Sequence, residues 1–182
     1  MGLCSSKGLD ASMFHTTYSE YKGAGILFTE GPVALAGIQK YGRVCKGATA
    51  VLSGLGGRRE SADIDWLHTA WREVIEELFG VDKVPVALVN DLRIHLPLRF
   101  PASCTGGYVL VRFGFGELTR ALTICSNYRI VSELYKTMPL TVSDLLLKRS
   151  PSASAEIGTL SLIPVSHRVT IAEEFFGDLS TH

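Results

Sequence analysis

Residues 53–81 read SGLGGRRESADIDWLHTAWREVIEELFGV, and the fold turns on how this stretch is read. It divides into a glycine turn, a polar loop, an amphipathic helix and a terminating glycine. With residues 67–78 set at about 100° per residue, Leu67, Ala70, Trp71, Val74, Ile75 and Leu78 fall on one broad apolar stripe. Glu73, Glu76 and Glu77 gather on the neighbouring flank, spaced i, i+3 and i+4. Asp63 or Asp65 can cap the start, and Gly80 suits the left-handed residue that closes a helix.

Like charges at these spacings repel by roughly 0.2–0.5 kcal/mol per pair, and no lysine answers them from that flank. Arg72 is adjacent in sequence and can pair with Glu76 one turn on. Two readings compete: a solvated acidic face, or a cradle for a cation. The pair Gly56-Gly57 favours the second, because backbone without side chains can approach closely and offer carbonyl oxygens. Hard divalent cations take carboxylates and carbonyls together. Magnesium or manganese held by Glu73, Glu76, Glu77 and the Gly56 carbonyl is therefore expected.

The stretch resembles the Nudix box, whose pattern is a glycine, five residues, a glutamate, seven residues, then R-E-apolar-x-E-E-x-G-apolar. Arg72-Glu73-Val74-Ile75-Glu76-Glu77 matches the core without a gap. Two departures stand at the helix ends, where loop length is tolerated more readily. Counted from Gly57, the first acidic position is Asp63 rather than a glutamate and Arg72 comes one residue late. Leu78 and Phe79 stand before Gly80 where the pattern has one residue.

The resemblance implies an α/β (α+β) domain of Nudix type: a mixed β-sheet sandwiched between helices, with a loop–helix–loop motif. It implies a metal-dependent pyrophosphohydrolase acting on a nucleoside diphosphate linked to another moiety, such as a nucleotide, a dinucleotide, a nucleotide sugar or a capped RNA end. Mg²⁺ or Mn²⁺ would screen the substrate's charge, and Arg72 would orient the carboxylates rather than meet substrate. Many such enzymes bring a further glutamate from just before a late strand. Glu156 is the candidate for that metal-ligating and catalytic role, with Glu117 as competitor. Either Glu73 or Glu156 could take the proton from water. The alternative is a catalytically inactive Nudix-fold nucleotide-binding or regulatory module, favoured by Asp63 and the altered spacing.

A chain of 182 residues, 46% hydrophobic and 20% charged, fits one globular domain with a substantial core. A tail over residues 1–20 followed by a single domain over 21–182 is expected. The formal net charge of zero argues against a strong, sequence-blind hold on nucleic acid, though not against a nucleotide or one RNA end. Cys4, Cys45, Cys104 and Cys125 form no CxxC pair, so free thiols in a reducing compartment are expected and a zinc site is not. No apolar run approaches the ~20 residues that span a bilayer, and no secretory signal is read at the start. Cytoplasmic placement is expected. The opening MGLCSSK, with Gly2 after Met1 and Ser6 four positions on, fits N-myristoylation. Cys4 could accept the second acyl chain that stable membrane contact needs. The other reading is an unmodified tail with a chance match.

Residues 25–28 and 33–38 read as strands around the turn Glu30-Gly31-Pro32, and residues 48–52 as a third strand leading into the glycine turn. Residues 84–89 and 92–96 read as two further strands. In residues 108–115, YVLVRFGF, both alternating faces are mostly apolar, which predicts burial on two sides. Residues 117–150 break at Asn127 and Pro139, with a helix starting at Ser143-Asp144. We read them as an insertion that serves either as a packing layer or as a lid. A strand over 159–165 and a closing helix over 170–179, with Ile171 and Phe175 on one face, complete the expectation. His68 reads as a surface residue. Arg58 and Arg59 are either solvent-facing or in contact with phosphate.

Overall fold

A two-residue turn at Gly31-Pro32 joins strands β1 (Gly23–Glu30) and β2 (Val33–Gln39) in the computed structural model, which describes residue 18 and residues 20–39, 51–150 and 155–165. The two strands pair antiparallel only beside the turn, at Thr29↔Ala34 and Glu30↔Val33, and then diverge. The opening between them is filled by one run of chain. Strand β3 (Val51–Ser53) pairs with the far end of β2, and after Gly54 strand β4 (Leu55–Arg58) pairs with the start of β1. Strand β6 (Tyr108–Gly114) runs parallel to β1 from Gly23↔Tyr108 to Thr29↔Gly114, and β5 (Ser103–Thr105) folds back on it. Strand β7 (Ile157–Pro164) lies antiparallel on β2. Among the described residues the result is a seven-stranded mixed sheet in the order β3-β2-β1-β6-β5, with β4 also on β1 and β7 also on β2.

Helices α1 (Trp66–Phe79), α2 (Val86–His95), α3 (Phe115–Ser126) and α4 (Val142–Leu147) make the architecture mixed α+β. The apolar stripe of α1 faces β1 and β4. Trp71 sits at its centre, its ring 6.2 Å from that of Phe28 and 5.2 Å from that of Phe113. The helix starts where Asp65 accepts from the His68 amide at 2.8 Å and ends at Gly80, whose φ of 64° and ψ of 45° are left-handed. The second face of the sheet buries Leu27, Ala34, Ala36, Leu110 and Ile163. Strand β6 therefore has apolar cover on both sides, with Val109, Val111 and Phe113 facing α1 and Leu110 opposite.

The two strands expected over 84–89 and 92–96 are corrected to the single helix α2. Its β-branched content suggests strand, but burial follows the helical repeat. Leu88, Val89, Leu92 and Leu96 are inside while Val86 and Ile94 are exposed. Pro85 precedes it and its carbonyl accepts from the amides of Leu88 and Val89, so the proline sits where a missing N–H costs least. Residues 117–150 contribute α3 and α4 and bury Leu118, Ala121, Leu122, Cys125, Leu134, Tyr135 and Leu145 in the main core. Helix α3 stops at Asn127 and α4 is capped by Thr141 rather than by Ser143. Among the described residues no helix is long and apolar enough to cross a membrane. The proposed lipidation at Gly2 and Cys4, the thiol of Cys45, residues 48–50 of the third strand and the helix over 170–179 lie outside the described residues.

Candidate functional site

The loop before α1 folds back onto the helix around one carboxylate. Asp63 Oδ2 accepts from the Glu60 amide at 2.8 Å and from the Thr69 hydroxyl at 2.8 Å. Arg72 donates from Nε to Oδ1 at 2.9 Å and from Nη2 to Oδ2 at 3.0 Å, a two-point pair between planar groups. His68 Nδ1 lies 3.0 Å from Oδ1. The Asp63 side chain is 0% exposed. Burial alone would push its carboxyl up, but the hydrogen bonds from Arg72, the Glu60 amide, Thr69 and His68 prevail and hold it well below the ordinary carboxylate range. His68, expected at the surface, is instead 3% exposed. It lies off the acidic flank, as its position on the helix requires, but the loop closes over it and gives it Asp63 as partner.

Arg72 carries this anchorage to the acidic flank. Its Nη1 donates to Glu76 Oε2 at 2.9 Å, and its Nη2 lies 3.0 Å from Glu73 Oε1. Nη2 also donates to the Arg58 carbonyl at 2.8 Å, which ties the helix to the glycine turn. Asp63 is one carbon shorter than a glutamate and still reaches this guanidinium. Glu77 is held separately: the Gly56 amide donates to its Oε2 at 2.8 Å. The contact between Gly56 and the acidic flank thus runs through N–H, whereas the sequence suggested its carbonyl. Gly57 lies flat against Glu73, and a Cβ there would overlap the Glu73 carboxylate.

All three glutamates resist ionisation. Burial pushes Glu73 up to about 7, with Arg72 opposing and Glu76 and Glu156 adding to the rise. Burial likewise raises Glu76 against the pull of Arg72. It raises Glu77 well above the ordinary range, offset in part by the Gly56 amide and reinforced by Glu156, Glu73 and Glu76.

These side chains open into a cleft of about 510 Å³ lined by Glu60, Glu73, Glu76, Glu77, Asp82, Glu133 and Glu156, with Gly80, Val81, Ala155 and Ile157. Seven carboxylates face it, and among the described residues no lysine, arginine or histidine lines it. Glu156 enters from the residue before β7. Glu117 does not reach the cleft; it accepts from the Gly114 amide at 3.0 Å at the start of α3 and pairs with Arg99 at 3.0 Å and Arg120 at 2.8 Å. Arg58 and Arg59 are exposed, with Arg59 stacked 4.6 Å from the Tyr21 ring centre. A neighbouring pocket of about 450 Å³ shares Gly80, Val81, Asp82 and Glu133 with the acidic cleft and adds Lys83 and Arg129.

Sequence reasoning had not singled out Glu60, Asp82 or Glu133. Glu60 and Asp82 flank the helix closely enough in sequence to be suspected, while Glu133 arrives only through the path of residues 127–140. Among the described residues, no three His, Cys, Asp or Glu side chains are gathered as a ready metal cluster. Two of the three helix glutamates are instead engaged by Arg72, and the third by the Gly56 amide. No protein-family model matches the chain, and no curated protein matches it.

Proposed function

We propose that this chain is a metal-dependent pyrophosphohydrolase of Nudix type, acting on a nucleoside diphosphate linked to another group. One observation carries the reading: seven carboxylates line one cleft, and the single positive charge of Arg72 is shared among Glu60, Asp63, Glu73 and Glu76. With carboxylates in such excess the cleft would repel an anionic phosphate, so it calls for divalent cations between protein and substrate. The donor set fits Mg²⁺ or Mn²⁺, being all hard carboxylate oxygen. Glu73, Glu76 and Glu77 would hold the ion from the helix and Glu156 from the opposite wall. When bound, the ion polarises the phosphoryl group and makes water a better nucleophile. The protein's own part is positioning. Asp63 fixes Arg72, Arg72 fixes Glu73 and Glu76, and Gly57 leaves room for the Glu73 carboxylate. Glu73 and Glu156 are the candidates to take the proton of water, the one not engaged with the ion being free to do so.

The test is phosphate release from a panel of nucleotide compounds, including dinucleotides, nucleotide sugars and capped RNA ends, with Mg²⁺ or Mn²⁺. Turnover that disappears in Glu76→Gln and Glu77→Gln supports the reading. No turnover of any compound, with ligands bound equally well by parent and variants, supports the second one, a nucleotide-binding or regulatory module. That reading draws on the engagement of Glu73 and Glu76 by Arg72.

Two further outcomes follow. Gly57→Ala is expected to leave the fold intact, because the group it overlaps is the far end of a flexible side chain rather than backbone. The displaced Glu73 carboxylate should lower metal affinity by roughly 10–100-fold, measured by Mn²⁺ titration. Cation binding should also release protons. With Glu73 up to about 7 and Glu77 higher still than an ordinary carboxylate, the metal-free cleft is partly protonated at neutral pH and must lose those protons to bind an ion. Affinity for Mn²⁺ should therefore climb as pH rises through about 7. Calorimetry in buffers of different ionisation enthalpy should register the released protons, and an affinity flat from pH 5.5 to 8 would contradict it.

A further inference from the structure

The last carbonyls of a helix have no partner inside it, and those of α1 are met from outside. Gly80 and Val81 donate to the Glu76 carbonyl at 2.7 and 3.2 Å, and the Ser132 hydroxyl donates to that of Phe79 at 2.6 Å. The two carbonyls between them go to one guanidinium. Arg149 donates from Nη2 to Glu77 O at 2.9 Å and from Nη1 to Leu78 O at 2.6 Å. The same Nη2 donates to Ile157 O at 2.7 Å, and Nε lies 3.4 Å from Gly158 O. Tyr135 steadies the group: its hydroxyl accepts from Nη1 at 3.1 Å, and the guanidinium carbon stands 5.7 Å from its ring centre.

These carbonyls belong to opposite walls of the acidic cleft. Glu77 is on α1, and Ile157 directly follows Glu156. We infer that Arg149 is a positioning residue, which sets the stand-off between Glu156 and the acidic flank of α1 by holding the main chain of both walls at once. Capping the helix would require only the Glu77 and Leu78 carbonyls. The bond to Ile157 goes beyond a cap and joins wall to wall. A planar fork is needed for this, since one ammonium cannot hold carbonyls spread over both arms of a guanidinium. The inference rests on the cation-binding reading of the cleft, and its test separates the two.

Mn²⁺ alone is titrated into the full-length chain, with free ion counted by electron paramagnetic resonance, for the parent, Glu156→Gln, Arg149→Lys and the double variant. Loss of an outer partner typically costs roughly 10–100-fold in metal affinity, and Arg149→Lys is expected to fall in that range. Glu156→Gln should weaken binding about tenfold in the parent but less than about twofold on the Arg149→Lys background, because Glu156 has already lost its station there. A residue that merely caps the helix would lower the melting temperature and leave the two Glu156→Gln factors equal. Equal factors in folded proteins therefore overturn the positioning role while leaving the cation reading intact. Absence of Mn²⁺ binding by the parent overturns the cation reading and this inference with it. Arg149→Gln, which keeps two N–H donors without the charge, serves the same cycle should the lysine variant not fold.

Discussion

Asp63→Asn is expected to cost about 3–5 kcal/mol of folding stability, the usual penalty for removing one partner of a buried ion pair. The side chain is fully buried and meets Arg72 at two points. An asparagine of the same shape would present an amide to a guanidinium that can only donate. For a domain of this size that corresponds to a drop in melting temperature of roughly 6–20 °C, measurable by calorimetry or urea titration. The pH dependence gives a second check. Asp63 is held below its ordinary range, so its contribution is present above about pH 4 and fades as pH falls toward its native value. The gap between parent and Asp63→Asn should therefore narrow in acid. The damage should also spread to activity, since Arg72 is the brace for Glu73 and Glu76.

Glu77→Gln is expected to do the reverse: activity lost, stability kept. The charge stabilisation a bound ion supplies is worth several kcal/mol, so turnover should fall by roughly 10²- to 10⁴-fold. The fold has no such need of this charge. Glu77 accepts one hydrogen bond, from the Gly56 amide at 2.8 Å, and a glutamine oxygen can accept it equally. Because burial raises the Glu77 carboxyl well above the ordinary range, its ionisation in the metal-free protein works against folding. The stability is full below about pH 4.3 and is lost as pH rises through the native value. Metal-free Glu77→Gln should thus melt no lower than the parent at pH 6 and higher than it in alkali. A variant that loses turnover together with its fold would mean that Glu77 has a structural duty instead.

Much of this was legible in the chain. The 3.6-residue stripe marks α1 and Gly80 marks its end, because both depend on neighbours within a turn or two. The Gly31-Pro32 turn likewise announces the β1–β2 hairpin, and the paired apolar faces of residues 108–114 announce a strand covered on both sides. Glu156 lies in the cleft with the helix glutamates; the resemblance singles it out, by implying an acidic residue before a late strand, and spacing does not. What escaped depends on distant parts of the chain. Val84, Val86, Val89 and Ile94 favour strand locally, yet α2 forms because Leu88, Val89, Leu92 and Leu96 pack inward together. His68 is buried against Asp63, which the loop brings back onto the helix. The partners of Arg149 on α1 lie more than seventy residues away in sequence, and no local pattern announces a bond of that reach.

The placement of the glutamates along α1 has an electrical consequence. They occupy its later half, Glu76 and Glu77 in the last turn, with no basic residue there and no acidic residue in the first turn. Aligned peptide dipoles leave the equivalent of about half a negative charge at that end. Side chains and backbone thus put the same sign at one spot, and the cation usual at a helix carboxyl end comes from outside the helix, as Arg149 on the Glu77 and Leu78 carbonyls. The guanidinium answers the backbone share, so the field that draws a cation into the cleft comes from the glutamates and should fade in acid as they are neutralised.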